Sequence, residues 1–299
     1  MKHNATISRI AINTILFATD FSPASERILL YAIAIAKHCK SMLLLTHAVL
    51  PLMPITAEAG MLLLDSSPQY ERLQTEAERR MNDLCASEAL KAVPHEAIVR
   101  PGEVLDTISE IIRERDVELV ILGTHGLAGL QRIIFGSLAE DILREIACPM
   151  MIVGPNVVPF VSEHFSRIVY ATTFSDASLR ALHYALLIAH ADQANLTLLH
   201  IVPESEAAHG MTSEQLKREY TDKLIDLVPL EGDFWLKTET VVEFGVPSEE
   251  IVRIADIQRA DLIVMGAHRA RTALTHLPST AHYVLQHARC PVLTTHGDD

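Results

Sequence analysis

Glycines and a serine at regular spacing near the middle of the chain form the pattern with the clearest chemistry. Gly123, Gly126 and the pair Gly136-Ser137 fill every fixed position of a G-x2-G-x9-G-S pattern. Glycine lets the backbone approach a ligand closely, because no Cβ stands in the way. Gly136-Ser137 begins a predicted helix, whose unpaired N–H groups and positive dipole end attract phosphate. The pattern predicts a phosphate cradle; the alternative is a tight loop that binds nothing.

This loop differs from two better-known phosphate motifs. It has no Gly-Lys-Ser/Thr, so it is not a Walker A loop, and it is not the G-x-G-x-x-G dinucleotide pattern. A second candidate, Asp20, follows the first predicted strand. Its carboxylate can accept a hydrogen bond from a ribose hydroxyl or an adenine amino group. The alternative is an aspartate that only serves the start of a helix.

The elements that position these residues occur twice in the chain. Residues Ile15–Ala36 and Ile168–Ala189 are identical at more than half of their positions. The similarity resumes at Glu118–His125 and Asp261–His268, but with a shorter spacing in the second copy. The first copy therefore carries an insertion, around Pro51 to Tyr70.

A proline-containing linker near Gly154–Pro159 separates the copies and predicts two domains, residues 1–156 and 157–299. The apolar run Gly60–Asp65 within the insertion is open to three interpretations: a lid over the pocket, a partner surface, or a short packed helix.

Each copy alternates short apolar runs with helical patterns, which predicts an α/β fold with a parallel sheet covered on both faces. Ser22 is the expected N-cap of the first helix, with Pro23 as its first residue. Ligands of such sheets bind at the carboxyl ends of the strands. In the first copy the predicted strands are Thr14–Thr19, Met42–Ala48, Glu96–Arg100, Glu118–Leu122 and Met150–Val153, and the helices after the first are about Tyr70–Leu90, Val104–Arg115 and Ser137–Ile146.

Composition excludes several classes of partner. The chain has 25 basic and 38 acidic residues, a net charge of −13, which argues against a general nucleic-acid surface and against docking on anionic lipid. Its start lacks a secretory signal pattern, and its apolar runs are too short to span a bilayer. We expect a cytoplasmic protein with reduced, mostly buried thiols, because its cysteines are scattered: Cys39, Cys85, Cys148 and Cys290.

The second copy departs from the first at the residues that would meet a ligand. Thr173 stands in place of Asp20, Arg269 in place of Gly126, and Pro278 in place of Gly136. An arginine fills the space of a phosphate, and a proline removes a backbone donor. We expect one nucleotide per chain. Arg269 and Arg271 bind a different anion or form surface ion pairs; we favour ion pairs.

The order of the motifs ILFATDFS, LLLTHAV, LVILGTHG and GSLAEDILREIACPMMIV resembles the universal stress protein (UspA) family, over essentially the whole chain as two tandem domains. The resemblance implies five-stranded parallel-sheet domains of the Rossmann-like, adenine nucleotide alpha hydrolase-like type, with the final strands paired in an intramolecular pseudo-dimer. It also implies ATP binding by the first copy, with Mg²⁺ or Mn²⁺ accompanying the phosphates. The residues carried over are Ala18, Thr19, Asp20 and Ala48 for adenosine, and Leu122, Gly123, His125, Gly126, Gly136, Ser137, Leu138 and Ala139 for ribose and phosphates.

The expected role is regulatory stress response, with adenine nucleotide and unidentified regulatory proteins as partners and a homodimer as one assembly. No catalytic residue and no metal ligand is assigned, because the chain shows neither a nucleophile elbow nor a zinc-type histidine cluster. Two alternatives stay open: a weak ATP-hydrolysing or phosphotransfer enzyme, and a binder of a non-nucleotide ligand such as a lipid or metal.

Overall fold

The structure, a computed structural model, describes residues 11–50, 68–124, 141–142, 144–158, 164–204, 211–228, 237–267 and 280–297. They fall into two compact units: the first is Ile12–Leu122, and the second consists of the described residues from Gly123 onward together with Ala11. None of the helices in these ranges is long and apolar enough to cross a membrane.

The first unit is a parallel sheet with helices between its strands. The strands lie in the order β3-β2-β1-β4, and each neighbouring pair is parallel. Consecutive residues of β1 and β4 are buried, as in a sheet that helices cover on both faces. The elements are β1 Thr14–Ala18, α1 Pro23–Cys39, β2 Met42–Val49, α2 Pro68–Cys85, a 3-10 turn Glu88–Leu90, β3 His95–Pro101, α3 Val104–Arg115 and β4 Leu119–Gly123.

The second unit contains a complete five-stranded parallel sheet. Its strands lie in the order β10-β9-β6-β7-β8, which confirms the predicted fold class. The elements of this unit are β5 Met150–Val153, β6 Arg167–Ala171, α4 Asp176–Asp192, β7 Asn195–Val202, α5 Ser213–Ile225, β8 Thr238–Phe244, α6 Pro247–Gln258, β9 Leu262–Ala267, α7 Thr280–His287 and β10 Val292–His296.

The pairing expected between the final strands of the two copies is confirmed. β5 runs antiparallel to β10, with Ile152 opposite Val292 and Met150 opposite Thr294. β5 belongs to the first copy by sequence, yet it extends the sheet of the second. The compact units therefore divide the chain at a different place from the sequence repeat, whose boundary at residue 156 stays a prediction.

Helix boundaries agree with the capping residues that the sequence predicts. Ser22 caps α1 by accepting the Ser25 N–H at 3.1 Å, and Pro23 is the first helical residue. Ser175 caps α4 in the same way. The predicted helix Tyr70–Leu90 differs from the structure: α2 ends at Cys85 and a 3-10 turn follows, because the backbone is extended at Ser87. The predicted helix Ser137–Ile146 lies largely outside the described residues, as does most of the insertion.

The thiols are less uniformly buried than expected. Cys148 and Cys290 are buried, whereas Cys39 and Cys85 are half-buried, and all four are unlinked. Burial, aided by the charges of Asp261 and Asp256, raises the pKa of the Cys290 thiol to about 12. The protonated thiol that results is a packing group rather than a nucleophile.

One glycine of the second unit is required by the contact between a helix and a strand. A Cβ on Gly266, near the end of β9, would lie 2.4 Å from the Ser178 nitrogen and 2.7 Å from the Ala177 carbonyl carbon. Both atoms belong to the backbone of the first turn of α4, which cannot move aside as a flexible side chain can. Residue 266 must be glycine for α4 to pack on β9.

We expect Gly266→Ala to lower the free energy of unfolding by about 1–3 kcal/mol, the usual cost of overpacking. The matched control is Gly297→Ala, whose Cβ would meet Ala177 of the same helix at 3.4–3.8 Å, an ordinary contact distance. Urea unfolding of both variants measures the difference. Equal stability of the two variants would show that the close approach at Gly266 is not a constraint.

Candidate functional site

The turn between β1 and α1 has an unusual backbone. Thr19 continues the pairing of β1, since its N–H donates to the Thr46 carbonyl at 2.9 Å. Phe21, two residues later, has a φ of 58°. Positive φ is uncommon for a bulky side chain and persists only where surrounding contacts hold it. The turn that carries Asp20 is therefore held by contacts outside its own backbone preference.

Thr19 supplies the first of these contacts. Its hydroxyl accepts the Phe21 N–H at 3.0 Å and the Ser25 hydroxyl at 2.8 Å. Its carbonyl accepts a hydrogen bond from His47 Nδ1 at 2.7 Å. A carbonyl oxygen only accepts, so this contact places a proton on Nδ1. The His47 ring also packs on the Phe21 ring, with centroids 4.5 Å apart.

Asp20 lies half-buried between these anchored residues. Its Oδ1 accepts the Ser22 N–H at 2.9 Å, just before the first turn of α1. A carboxylate is stabilised there by the positive end of the helix. Asp20 thus serves helix entry, one of the two roles that the sequence allowed. The same bond also fixes the carboxylate at the carboxyl end of β1.

The parallel strands bring several predicted residues to one edge of the first unit. Ala18 ends β1 and pairs with Thr46 of β2, and Ala48 lies near the end of β2. Leu122 lies near the end of β4, which pairs with β1. The carboxyl ends of parallel strands meet at one edge, so these residues share it with Asp20. Ala18 and Ala48 are half-buried and carry small side chains.

The rest of the predicted site can be located only in part. Gly123 closes β4, and Thr124, the next residue, donates its N–H to the Val153 carbonyl at 3.1 Å. The other predicted ligand residues lie outside the described residues: His125, Gly126, Gly136, Ser137, Leu138 and Ala139. Arg269, Arg271 and Pro278 of the second copy lie outside them as well.

The second copy builds the same turn without the carboxylate. Phe174 has a φ of 58°, and its N–H donates to the Thr172 hydroxyl at 2.9 Å. His200 Nδ1 donates to the Thr172 carbonyl at 2.8 Å. Thr173, in the place of Asp20, is exposed and donates its hydroxyl to Ser175 Oγ at 3.0 Å. The fold therefore requires the turn in both copies, but it does not require an acid within it.

Some glycines of the loop are present in both copies, and others are present only in the first. The first glycine of the loop is present in both copies, as Gly123 and Gly266. At Gly266 the packing of α4 on β9 explains why the residue is glycine. In the second copy the fold alone therefore accounts for this glycine. The positions that indicate a ligand are those where the copies differ: Asp20, Gly126 and Gly136.

Two features of the site had no clear signal in the sequence. The motif Thr-x-Phe-Ser recurs in both copies, but nothing in residue type suggests positive φ for its phenylalanine. The second feature is Arg80 of α2, whose guanidinium lies over the Phe21 ring, 4.9 Å from its centroid. The similarity between the copies breaks down in this region, so the repeat could not single it out.

Comparison with known proteins agrees with this architecture. The model of the universal stress protein family matches the chain twice, over residues 11–154 and 164–296. Universal stress protein MJ0531 of Methanocaldococcus jannaschii is 35% identical over 138 residues, which cover 43% of this chain and 81% of that protein. Universal stress protein MJ0577 of the same organism is 27% identical over 156 residues, covering 44% of this chain and 96% of that one.

A solved structure shares the fold over nearly the full length. The crystal structure of a universal stress protein from Archaeoglobus fulgidus matches with a TM-score of 0.71 at 19% identity, covering 96% of this chain and 99% of the other. Two family matches in one chain, relatives that carry the family name and a shared fold lead to one conclusion. The chain belongs to the universal stress protein family, with two copies of the family domain in tandem.

Proposed function

We propose that the chain binds ATP through its first copy and acts as a regulatory module in a stress response. One observation carries the proposal: both copies form the same strained turn, but only the first places a carboxylate in it, at Asp20. A feature that the fold does not need, set at the edge where such sheets bind ligands, is best explained by a ligand.

The chemistry of the first copy suits an adenine nucleotide. Asp20 offers a carboxylate for a ribose hydroxyl or an adenine amino group, and Ala18 and Ala48 present small side chains at the same edge of the sheet. The predicted loop from Gly123 to Ser137 offers backbone N–H groups for the phosphates. A divalent cation, Mg²⁺ or Mn²⁺, would accompany the phosphate charge.

The second copy has a structural role in this proposal. It keeps the turn at Phe174 and the packing glycine Gly266, and its β10 pairs with β5 of the first copy. Thr173, Arg269 and Pro278 replace the residues that would contact a nucleotide. We place the domain boundary at residues 156/157, and the protein in the cytoplasm.

The number of ATP molecules bound per chain tests whether only the first copy binds nucleotide. We expect calorimetric titration with ATP to give one site per chain, and denaturation of the purified protein to release an adenine nucleotide. Asp20→Ala should weaken binding roughly tenfold or more, since hydrogen bonds to charged groups contribute about 1.5–3 kcal/mol. Thr173→Ala is the matched control and should leave affinity unchanged. Two sites per chain, or equal effects of both substitutions, would contradict the proposal.

Comparison of ATP with adenosine separates the phosphate loop from the Asp20 turn. Gly126→Val adds a branched side chain to the predicted cradle, so we expect it to abolish the advantage of ATP over adenosine while adenosine binding persists. Asp20→Ala should weaken both ligands.

Phosphate release measured in the same samples distinguishes a binding module from an enzyme. Steady release that is lost in either variant would favour the enzyme. Absence of any thermal shift with ATP would favour a different ligand.

A further inference from the structure

Arg80 contacts Phe21, the residue that follows Asp20. From α2, its Nη2 donates a hydrogen bond to the Phe21 carbonyl at 2.8 Å. Its guanidinium also lies over the Phe21 ring, 4.9 Å from the centroid, a distance at which a cation is attracted to an aromatic face. One side chain of α2 thus contacts both the backbone and the ring of Phe21.

The hydrogen bond of Arg80 acts on the peptide that orients Asp20. The Phe21 carbonyl and the Ser22 N–H belong to the same peptide unit, which is planar and rigid. Arg80 binds the carbonyl end of that unit, and the N–H end donates to Asp20 Oδ1 at 2.9 Å. Fixing one end fixes the direction of the other. A cation on the carbonyl also polarises the peptide, which strengthens the bond to the carboxylate.

The second copy shows that the turn forms with a different cover. There the ring of Tyr220, from α5, stacks on Phe174 with centroids 5.9 Å apart and an angle of 18°. Tyr220 also packs on His200 at 4.1 Å, and the Lys223 ammonium lies over Tyr220. Phe174 nevertheless keeps the φ of Phe21. A guanidinium is therefore not what creates the turn, and it accompanies the copy that carries Asp20.

We propose that Arg80 is a positioning residue for the Asp20 carboxylate and thereby sets the affinity of the first copy for the nucleoside part of its ligand. This inference rests on the proposed nucleotide function. It assigns to α2 a role in binding that Arg80 performs through the Phe21–Ser22 peptide, without contact to the phosphates.

Three variants test this role by titration with adenosine and with ATP. Arg80→Met keeps the length of the side chain but removes the cation and the donor, and we expect both dissociation constants to rise together, roughly three- to tenfold. Arg80→Lys keeps a cation and a donor and should restore most of the affinity. Arg79→Met is the control, because Arg79 lies on the same helix and pairs with Glu76 and Asp83; it should bind as the parent does.

A ligand-free measurement keeps the inference separate from the proposed function. In Arg80→Met, the Ser22 amide should exchange its hydrogen with solvent faster than in the parent protein, while Ser175 in the second copy is unchanged. If the parent chain binds no nucleotide, the proposed function fails, but faster exchange at Ser22 would still support the positioning of Asp20.

Three results would overturn the inference. One is unchanged exchange at Ser22 in Arg80→Met. Another is a loss of affinity for ATP alone, which would indicate a direct phosphate contact. The third is an Arg80→Lys variant that binds no better than Arg80→Met.

Discussion

A phenylalanine with positive φ stands at the entrance to the first helix of each copy, and the candidate site depends on it. At Phe21 this conformation turns the chain sharply from β1 into α1. Without it, the Thr19 hydroxyl could not reach the Phe21 N–H, and the Ser22 N–H would not meet Asp20. The strain is sustained by a hydroxyl, an imidazole and packing on the ring, none of which depends on a ligand. The protein therefore holds its carboxylate ready, at the cost of an unfavourable backbone.

Because the domain is duplicated, the turn at Phe21 can be compared with the turn at Phe174 in the same chain. The two turns share the threonine, the phenylalanine, the histidine and the capping serine, and they share the geometry that these produce. The two turns differ in Asp20 against Thr173, and in the side chain that packs on the phenylalanine ring, Arg80 in the first copy and Tyr220 in the second. A single domain would not have allowed this separation, because structural and ligand-binding residues are interleaved along the same few positions.

The sequence predicts local structure well and contacts between distant segments poorly. The strands, the serine caps and the pairing of the final strands follow from apolar patterns, from residue types near helix ends and from the resemblance to a family, whereas the antiparallel direction of that pairing comes from the structure. Three features do not follow in this way. Positive φ at Phe21 is held by the Thr19 hydroxyl and by the His47 ring, which comes from β2. The need for glycine at position 266 results from a helix that begins about ninety residues earlier in the chain. Arg80 lies in a region that has no clear counterpart in the second copy.

The pairing of β5 with β10 has a consequence for how the protein is made. Met150–Val153 are synthesised, and can leave the ribosome, long before Val292–His296 exist. Almost the whole second copy must be synthesised before the backbone groups of β5 can pair with β10. Pairings between distant segments form slowly, and unpaired apolar strands are prone to associate with other chains. During translation, the edge of β5 that pairs with β10 is thus unprotected until β10 has been synthesised.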